Sequence, residues 1–369
     1  MTTSRKMLMG ASGAGVSGYE LWAWGYGGVG TLGNGATANQ SSPIQVGTSA
    51  EWAAASAGMY HSTARKADGT VWAWGFGDGG ALGNGAVANT TSPVQVGDLD
   101  DWAVLATGGF HSTAIKTDGT LWAWGAGVNG KLGDGTTANK SSPVQIGSLT
   151  TWATVANGHQ HSVAIKTDGT LWVWGDGGLG RLGNGSAVDK SSPVQVGSLT
   201  NWATVSVGFM HTMAIKTDGT LWGWGYNGLR ALGDGTTTTR SSPVQIGSLT
   251  TWATVSNGKN HTMAVKTDGT LWVWGEGSYG RLGTGSTTDT NSPVQIGSLT
   301  NWATTSASRT SSTAVKTDGT LWSWGLNSQG QVGDGTTTTR SSPVQIGSLT
   351  DWLALSSSPG NKTPLVLKS

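Results

Sequence analysis

The order of apolar and polar positions along this chain repeats every 50 residues. Residues 251–300 illustrate one unit. Thr251-Trp252-Ala253-Thr254-Val255-Ser256 is a short run rich in β-branched residues, which predicts a strand. His261-Thr262-Met263-Ala264-Val265-Lys266 predicts a second strand and Leu271-Trp272-Val273-Trp274-Gly275 a third. Between these two, Asp268-Gly269 is a hairpin signal, because the tight turn needs residues that tolerate positive φ. Ser292-Pro293-Val294-Gln295-Ile296-Gly297 predicts a fourth, and its proline suits an edge or a first position. No segment carries a helical period. Four antiparallel strands per unit, repeated seven times, predict an all-β chain folded as a seven-bladed propeller.

The tryptophans keep the register. A W-x-W-G phrase begins at Trp22, Trp72, Trp122, Trp172, Trp222, Trp272 and Trp322, and a third indole recurs from Trp52 to Trp352. Together they account for all 21 tryptophans. Side chains alternate along a strand, so Trp272 and Trp274 share one face. Both are expected to fill the space between adjacent blades.

The two ends complement each other. Thr363-Pro364-Leu365-Val366-Leu367-Lys368 matches the second strand of a unit, with a two-residue insertion ahead of it. The matching third and fourth strands are Tyr19 to Trp24 and Ser42 to Val46. One blade is therefore expected to combine two C-terminal with two N-terminal strands, closing a ring over residues 19–369. Residues 1–18 form a separate arm. Its apolar run, Met7-Leu8-Met9, is diluted at once by Gly and Ser, which suits a flexible or docking arm better than a cleaved signal peptide.

Composition narrows the function. A net charge of +1 advertises neither a nucleic acid nor a membrane surface, and no stretch approaches the ~18 apolar residues of a spanning helix. With no cysteine, disulfides and thiol chemistry are excluded.

The blade phrases, G-x-x-H before the second strand and D-G-T-L-W-x-W-G with L-G-x-G after it, resemble the regulator of chromosome condensation repeat over residues 19–368. The fuller form of that motif, W-G-x-N-x-x-G-Q-L-G, is approached only at Trp324 to Gly333. At the Gln position the other units hold Thr31, Ala81, Lys131, Arg181, Ala231 and Arg281. The resemblance implies a propeller. It also implies that each repeated histidine bonds the backbone of its own blade. The family includes a nucleotide exchange factor for a small GTPase and secreted enzyme inhibitors; fold transfers from such a likeness, whereas function does not.

Seven copies supply an internal alignment. Lys-Thr-Asp-Gly-Thr-Leu-Trp is identical at 116–122, 166–172, 216–222, 266–272 and 316–322, while two loop sets vary freely. One precedes the histidine position; the other follows W-x-W-G. Strand parity puts both on one face. All three Phe (Phe76, Phe110, Phe209) and four of the five Tyr (Tyr26, Tyr60, Tyr226, Tyr279) fall in these loops. Arg181, Arg230, Arg281, Arg309, Lys131 and Lys259 join them, against Asp78, Asp176 and Glu276. Rings that break the repeat are not scaffold, and clustered on one face they mark a recognition surface. The partner-binding set is therefore Tyr26, Tyr60, Phe76, Phe110, Arg181, Phe209, Tyr226, Arg230, Tyr279, Arg281 and Arg309.

No enzyme is expected. His61, His111, His161, His211 and His261 occupy one repeated position, too widely spread around a ring for tetrahedral metal ligation. The Asp of each Asp-Gly pair forms a turn, and no nucleophile elbow, phosphate loop or H-E-x-x-H occurs. No cofactor or metal is implied. The sequence thus predicts a binding propeller for a protein or surface glycan. Arg5 to Ala11 also resembles the start of some phage structural proteins carrying such repeats, which would place the chain on a virion or an extracellular surface with residues 1–18 docked to an assembly partner. The alternative is a cytoplasmic regulator of a small GTPase, or a secreted enzyme inhibitor.

Overall fold

Each 50-residue unit folds as one four-stranded antiparallel sheet in the computed structural model, which describes residues 18–356 and 360–369. In the Trp152 blade, Trp152–Asn157, His161–Lys166, Leu171–Gly175 and Lys190–Gln195 pair in that order. Five more blades copy this arrangement. The seventh joins Trp352–Leu355, Leu365–Lys368, Glu20–Gly25 and Gln40–Gln45, with Glu20 opposite Lys368 and Ala23 opposite Leu365. The closure read from the ends of the chain is therefore present. The Lys368 ammonium also bridges Glu20 at 3.0 Å and Asp351 at 3.3 Å, tying both ends together. Residues 1–17 of the expected arm lie outside the described residues.

Strands that begin at the third tryptophan touch their equivalents in neighbouring blades and so line the axis. Small polar side chains stitch them together: Asn157 Nδ2 donates to the Ala106 carbonyl at 3.0 Å, and the Asn257 amide donates to Ser206 Oγ at 2.9 Å. At the rim, the loop of each blade donates to the outermost strand of the next. Gly135 N bonds the Ser191 carbonyl at 2.8 Å, and Gly335 N bonds that of Ser41 at the same distance, completing the circle.

Both indoles of the W-x-W pair pack between blades, as expected, but to different depths: Trp172 lies against the cluster that joins Leu121 and Leu132 of one blade to Trp152 and Trp174 of the next. The second indole is the deeper. Trp174 is fully buried and its Nε1 donates to the carbonyl of Lys131 in the preceding blade at 3.0 Å. The first stays half-buried. Trp172 Nε1 donates to Thr170 Oγ1 at 2.9 Å, and the Lys166 ammonium sits 3.7 Å from its ring centre. The alternation puts both rings on one face of the strand, but the end near the Asp-Gly turn is less buried than the end near the variable loop. Trp152, inside, meets both at 6.0 and 6.3 Å.

Candidate functional site

The loops between first and second strands form a collar around one mouth of the channel. Backbone bonds link it from blade to blade: Met59 N to Gly108 O at 3.2 Å, Gly109 N to Gly158 O at 3.2 Å, Lys259 N to Ser308 O at 3.1 Å and Arg309 N to Asn361 O at 3.0 Å. The loops after W-x-W-G are fastened to the same collar, since Phe76 N bonds the Tyr60 carbonyl and Ala126 N that of Phe110, both at 2.9 Å. At the other end, the Asp-Gly turns bond the start of the next inner strand, as in Trp152 N to Gly119 O at 3.2 Å. Both variable loop sets thus share one face, fixed by backbone rather than by side chains.

On this collar the aromatic residues that break the repeat come together. Tyr60 lies 6.1 Å from Phe76 and 5.5 Å from Phe110, and Phe76 lies 5.9 Å from Phe110. Phe110 meets His159 edge-on at 5.8 Å, and His159 stacks on Phe209 at 4.0 Å. The result is a contiguous arc across four blades. Each ring pair contributes ~0.5–1.5 kcal/mol beyond its buried area, so the arc is held in shape by itself. Its members are half-buried rather than fully exposed. Lys131 and Lys259 flank it, with ammonium groups 5.8 Å from the Phe110 ring and 5.6 Å from the Phe209 ring.

The remaining members of the expected set are dispersed. Tyr26 and Tyr226 fold back over Gly28 and Gly228 of their own loops. Tyr279 stands apart and is 51% exposed, with left-handed backbone at φ +60°. Arg181 and Arg281 are buried rather than displayed, because Asp176 and Glu276 draw their guanidinium groups inward at 2.9 and 2.7 Å. Arg230 pairs with Asp289 of the next blade at 2.6 Å. Among the arginines of the described residues, Arg309 alone sits on the collar, beside Lys259 and Lys362.

Two collar residues escaped the sequence reading of the site. His159 completes the arc, and Lys362 stands 5.2 Å from the Tyr26 ring. His159 was recognisable as a histidine outside the repeated register. Lys362 was hidden by the insertion that shifts the alignment of the last unit.

The electrostatics of the mouth are positive. Burial, then Lys131, Arg181, Arg309 and Lys259, push the His159 imidazole down to about 4. Burial likewise lowers the Lys131 amine to about 8, partly opposed by Asp176. The repeated histidines belong to the scaffold, yet not as the family motif implies. The Nε2 atoms of His61 and His111 hydrogen-bond across blades with Ser112 and Ser162, both at 2.9 Å, instead of bonding their own backbone. Among the described residues, no cluster of three or more His, Asp or Glu could hold a metal.

Comparison with known proteins agrees with this architecture. The RCC1-like domain model matches residues 139–365, and the Regulator of chromosome condensation (RCC1) repeat models match 20–65, 68–115 and 104–131. No curated protein matches the chain at a significant level. Human WBSCR16 has a similar structure, with 19% identity, a TM-score of 0.85 and coverage of 95% of this chain and 99% of that one. Prp20p from Saccharomyces cerevisiae is similar at 19% identity and a TM-score of 0.86, covering 96% and 92% of the two chains. Yeast RCC1 (Prp20) in complex with Kap60 gives 19% identity, a TM-score of 0.84 and coverage of 100% and 96%. With the repeat models matching the N-terminal half and the domain model matching the rest, this chain belongs to the family of RCC1-like domains.

Proposed function

We propose that this RCC1-like propeller is a non-enzymatic protein-binding module of the regulator type, and that its collar face engages the partner. The observation that carries this reading is the gathering of Tyr60, Phe76, Phe110, His159 and Phe209 into one arc on a backbone-fixed ring. Packing does not require these rings: the equivalent positions of other blades hold Thr310, Asn260 and Ala126. Rigid aromatic groups lose little entropy on binding and dominate interface energetics. Similar structures support a protein partner over a glycan. Prp20p is described with binding properties to Gsp1p and histones, and yeast RCC1 is described bound to Kap60.

The test is a variant carrying Tyr60→Ser, Phe110→Ser and Phe209→Ser, compared with the wild type in affinity capture and in fluorescent-nucleotide release from a panel of small GTPases. Accelerated release that the variant loses supports the exchange-regulator form of the reading. Captured protein without accelerated release, again lost in the variant, supports a binding module acting on another target. A folded variant that retains every interaction removes the collar face from consideration.

A further inference from the structure

The collar is divided. Its residues just before the second strand are Met59-Tyr60, Gly109-Phe110, His159-Gln160, Phe209-Met210, Lys259-Asn260, Arg309-Thr310 and Asn361-Lys362. Four consecutive blades therefore supply the aromatic arc, and the next three supply Lys259, Arg309 and Lys362. None of these three cations takes part in an ion pair among the described residues. The carboxylate that Lys259 feels, Glu276, is already held by Arg281 at 2.7 Å and Asn260 at 2.8 Å. The cations feel one another: besides burial, Arg309 lowers the affinity of both Lys259 and Lys362 for their protons. Their like charges are held together by the collar backbone, where Lys259 N bonds Ser308 O and Arg309 N bonds Asn361 O. An unneutralised cationic arc opposite an apolar one is complementary to a ligand that carries both characters.

We infer that the channel mouth receives an acidic peptide segment of the partner, with its carboxylates on Lys259, Arg309 and Lys362 and an apolar side chain against Phe110, His159 and Phe209. This deepens the protein-binding reading of the same face and rests on it. A nucleic acid fits the mouth less well. Tyr60, Phe76 and Phe110 pack against each other at interplanar angles of 37–67°, which presents edges instead of a row of open platforms for bases. A chain of net charge +1 also lacks the extended positive field that gathers a polyphosphate.

The experiment uses the full chain and fluorescein-labelled peptides in anisotropy titrations. The probes are a peptide alternating Glu with Leu and Phe, an acidic Glu/Gly peptide, a neutral Gln/Leu/Phe peptide and a single-stranded oligonucleotide. Saturable binding of the first, at least about tenfold tighter than of the second and third and weakening with salt, is the expected result. Lys259→Gln, Arg309→Gln and Lys362→Gln together, with an unchanged melting temperature, should reduce that binding about tenfold or more. Equal binding by wild type and this triple variant overturns the inference, as does failure of the wild type to bind the acidic apolar peptide. Tighter binding of the oligonucleotide also overturns it, in favour of a nucleic-acid surface. Partner capture separates the two levels. If the cation variant still captures the partner that the Tyr60, Phe110 and Phe209 variant has lost, the face stands and the acidic segment falls.

Discussion

The imidazole of His61 lies 2.9 Å through Nε2 from Ser112 Oγ, a residue of the following blade. Ser112 Oγ in turn donates to the Ala81 carbonyl at 3.4 Å, so its single proton is engaged and the imidazole must be the donor. The ring is then a neutral tautomer protonated at Nε2, and Nδ1 of His61, His111, His161 and His261 has no partner among the described residues. The same relation joins His161 to Thr212 at 3.1 Å and His261 to Ser312 at 2.9 Å. Repetition of this contact makes it a blade-to-blade rivet.

A pH dependence follows from these neutral rings. Burial pushes His61 and His211 down to about 3, and His111, His161 and His261 well below their ordinary range. The unfolded chain binds these protons near 6.5. Folded affinity is depressed, so the stabilising contribution is fully present above pH ~6.5 and is lost as pH falls toward the folded value. Each histidine adds up to ~1.4 kcal/mol per pH unit below that point. Five acting together should unfold the propeller near pH ~5, within the span of a typical domain stability. Denaturant midpoints measured from pH 7.5 to 4 check this. In His261→Ser the slope should fall by about one proton; an unchanged slope would show that the ring is not buried neutral.

The hydroxyl partner gives a sharper test. Ser112→Ala removes the acceptor of the His61 Nε2–H and the donor to the Ala81 carbonyl inside the core. A loss of ~1–3 kcal/mol is expected in urea unfolding. Ser112→Thr should be tolerated, because Thr212 and Thr262 already serve His161 and His211. Equal loss in both variants would assign the effect to packing instead of hydrogen bonding.

Much of this scaffold was legible because the repeat states it seven times. Strand order, hairpin turns and ring closure follow from local runs whose alternation and turn chemistry agree. The histidine bond was less accessible, since its two residues sit 51 positions apart and the blade-to-blade register is not a local property. A trace of it is present nonetheless. Each His has Ser or Thr at that offset, whereas Ser311 stands where the matching position of the closing blade is Pro364, which has no hydroxyl. Ser308 replaces glycine in the same copy. A Cβ on Gly108 would stand 2.5 Å from the His111 ring, so a blade with the histidine needs the glycine; the closing blade, with Gly360 and Thr363, shows that the reverse does not hold. The collar was legible as a face but not as an arc. Side-chain variation located the loops, but contacts such as Asp176 with Arg181 decided which charges turn inward.

Arg230 offers a backbone prediction. Its φ is +64° at a position that the other six blades fill with glycine, from Gly30 to Gly330. A non-glycine residue there carries ~1–2 kcal/mol of strain. The ion pair with Asp289 is partly exposed and returns at most ~1 kcal/mol. Arg230→Ala loses the pair and keeps the strain, whereas Arg230→Gly loses the pair and relieves the strain. The glycine variant should therefore be the more stable of the two by ~1 kcal/mol, the reverse of the usual order. Thermal unfolding of both variants checks it, and an alanine variant equal to or above glycine would rule out strain at this site.

Ring closure yields the largest expected effect. Leu365–Lys368 lies between Glu20–Gly25 and Trp352–Leu355, so it is an interior strand of its blade and not an edge. Leu365 and Val366 are fully buried and Leu367 nearly so. Leu365→Ala alone should cost ~2–5 kcal/mol by the cavity it leaves. Deleting 363–369 removes all three apolar side chains, the ladder bonds to two neighbours and the Lys368 bridges to Glu20 and Asp351. The N-terminal pair would then expose a sheet edge, cut off from the inner strand Trp352–Leu355 and held to the ring only through its contacts with neighbouring blades. The melting temperature should drop sharply, and dimers should appear in light scattering as exposed strand edges pair between chains. Substituting Lys368→Met separates the two contributions: it retains the apolar stem and the backbone ladder while removing the charge, so only a small shift is expected. A deletion variant that melts like the wild type would mean that the blades are held by their neighbours alone and that the terminal strand does not close the ring.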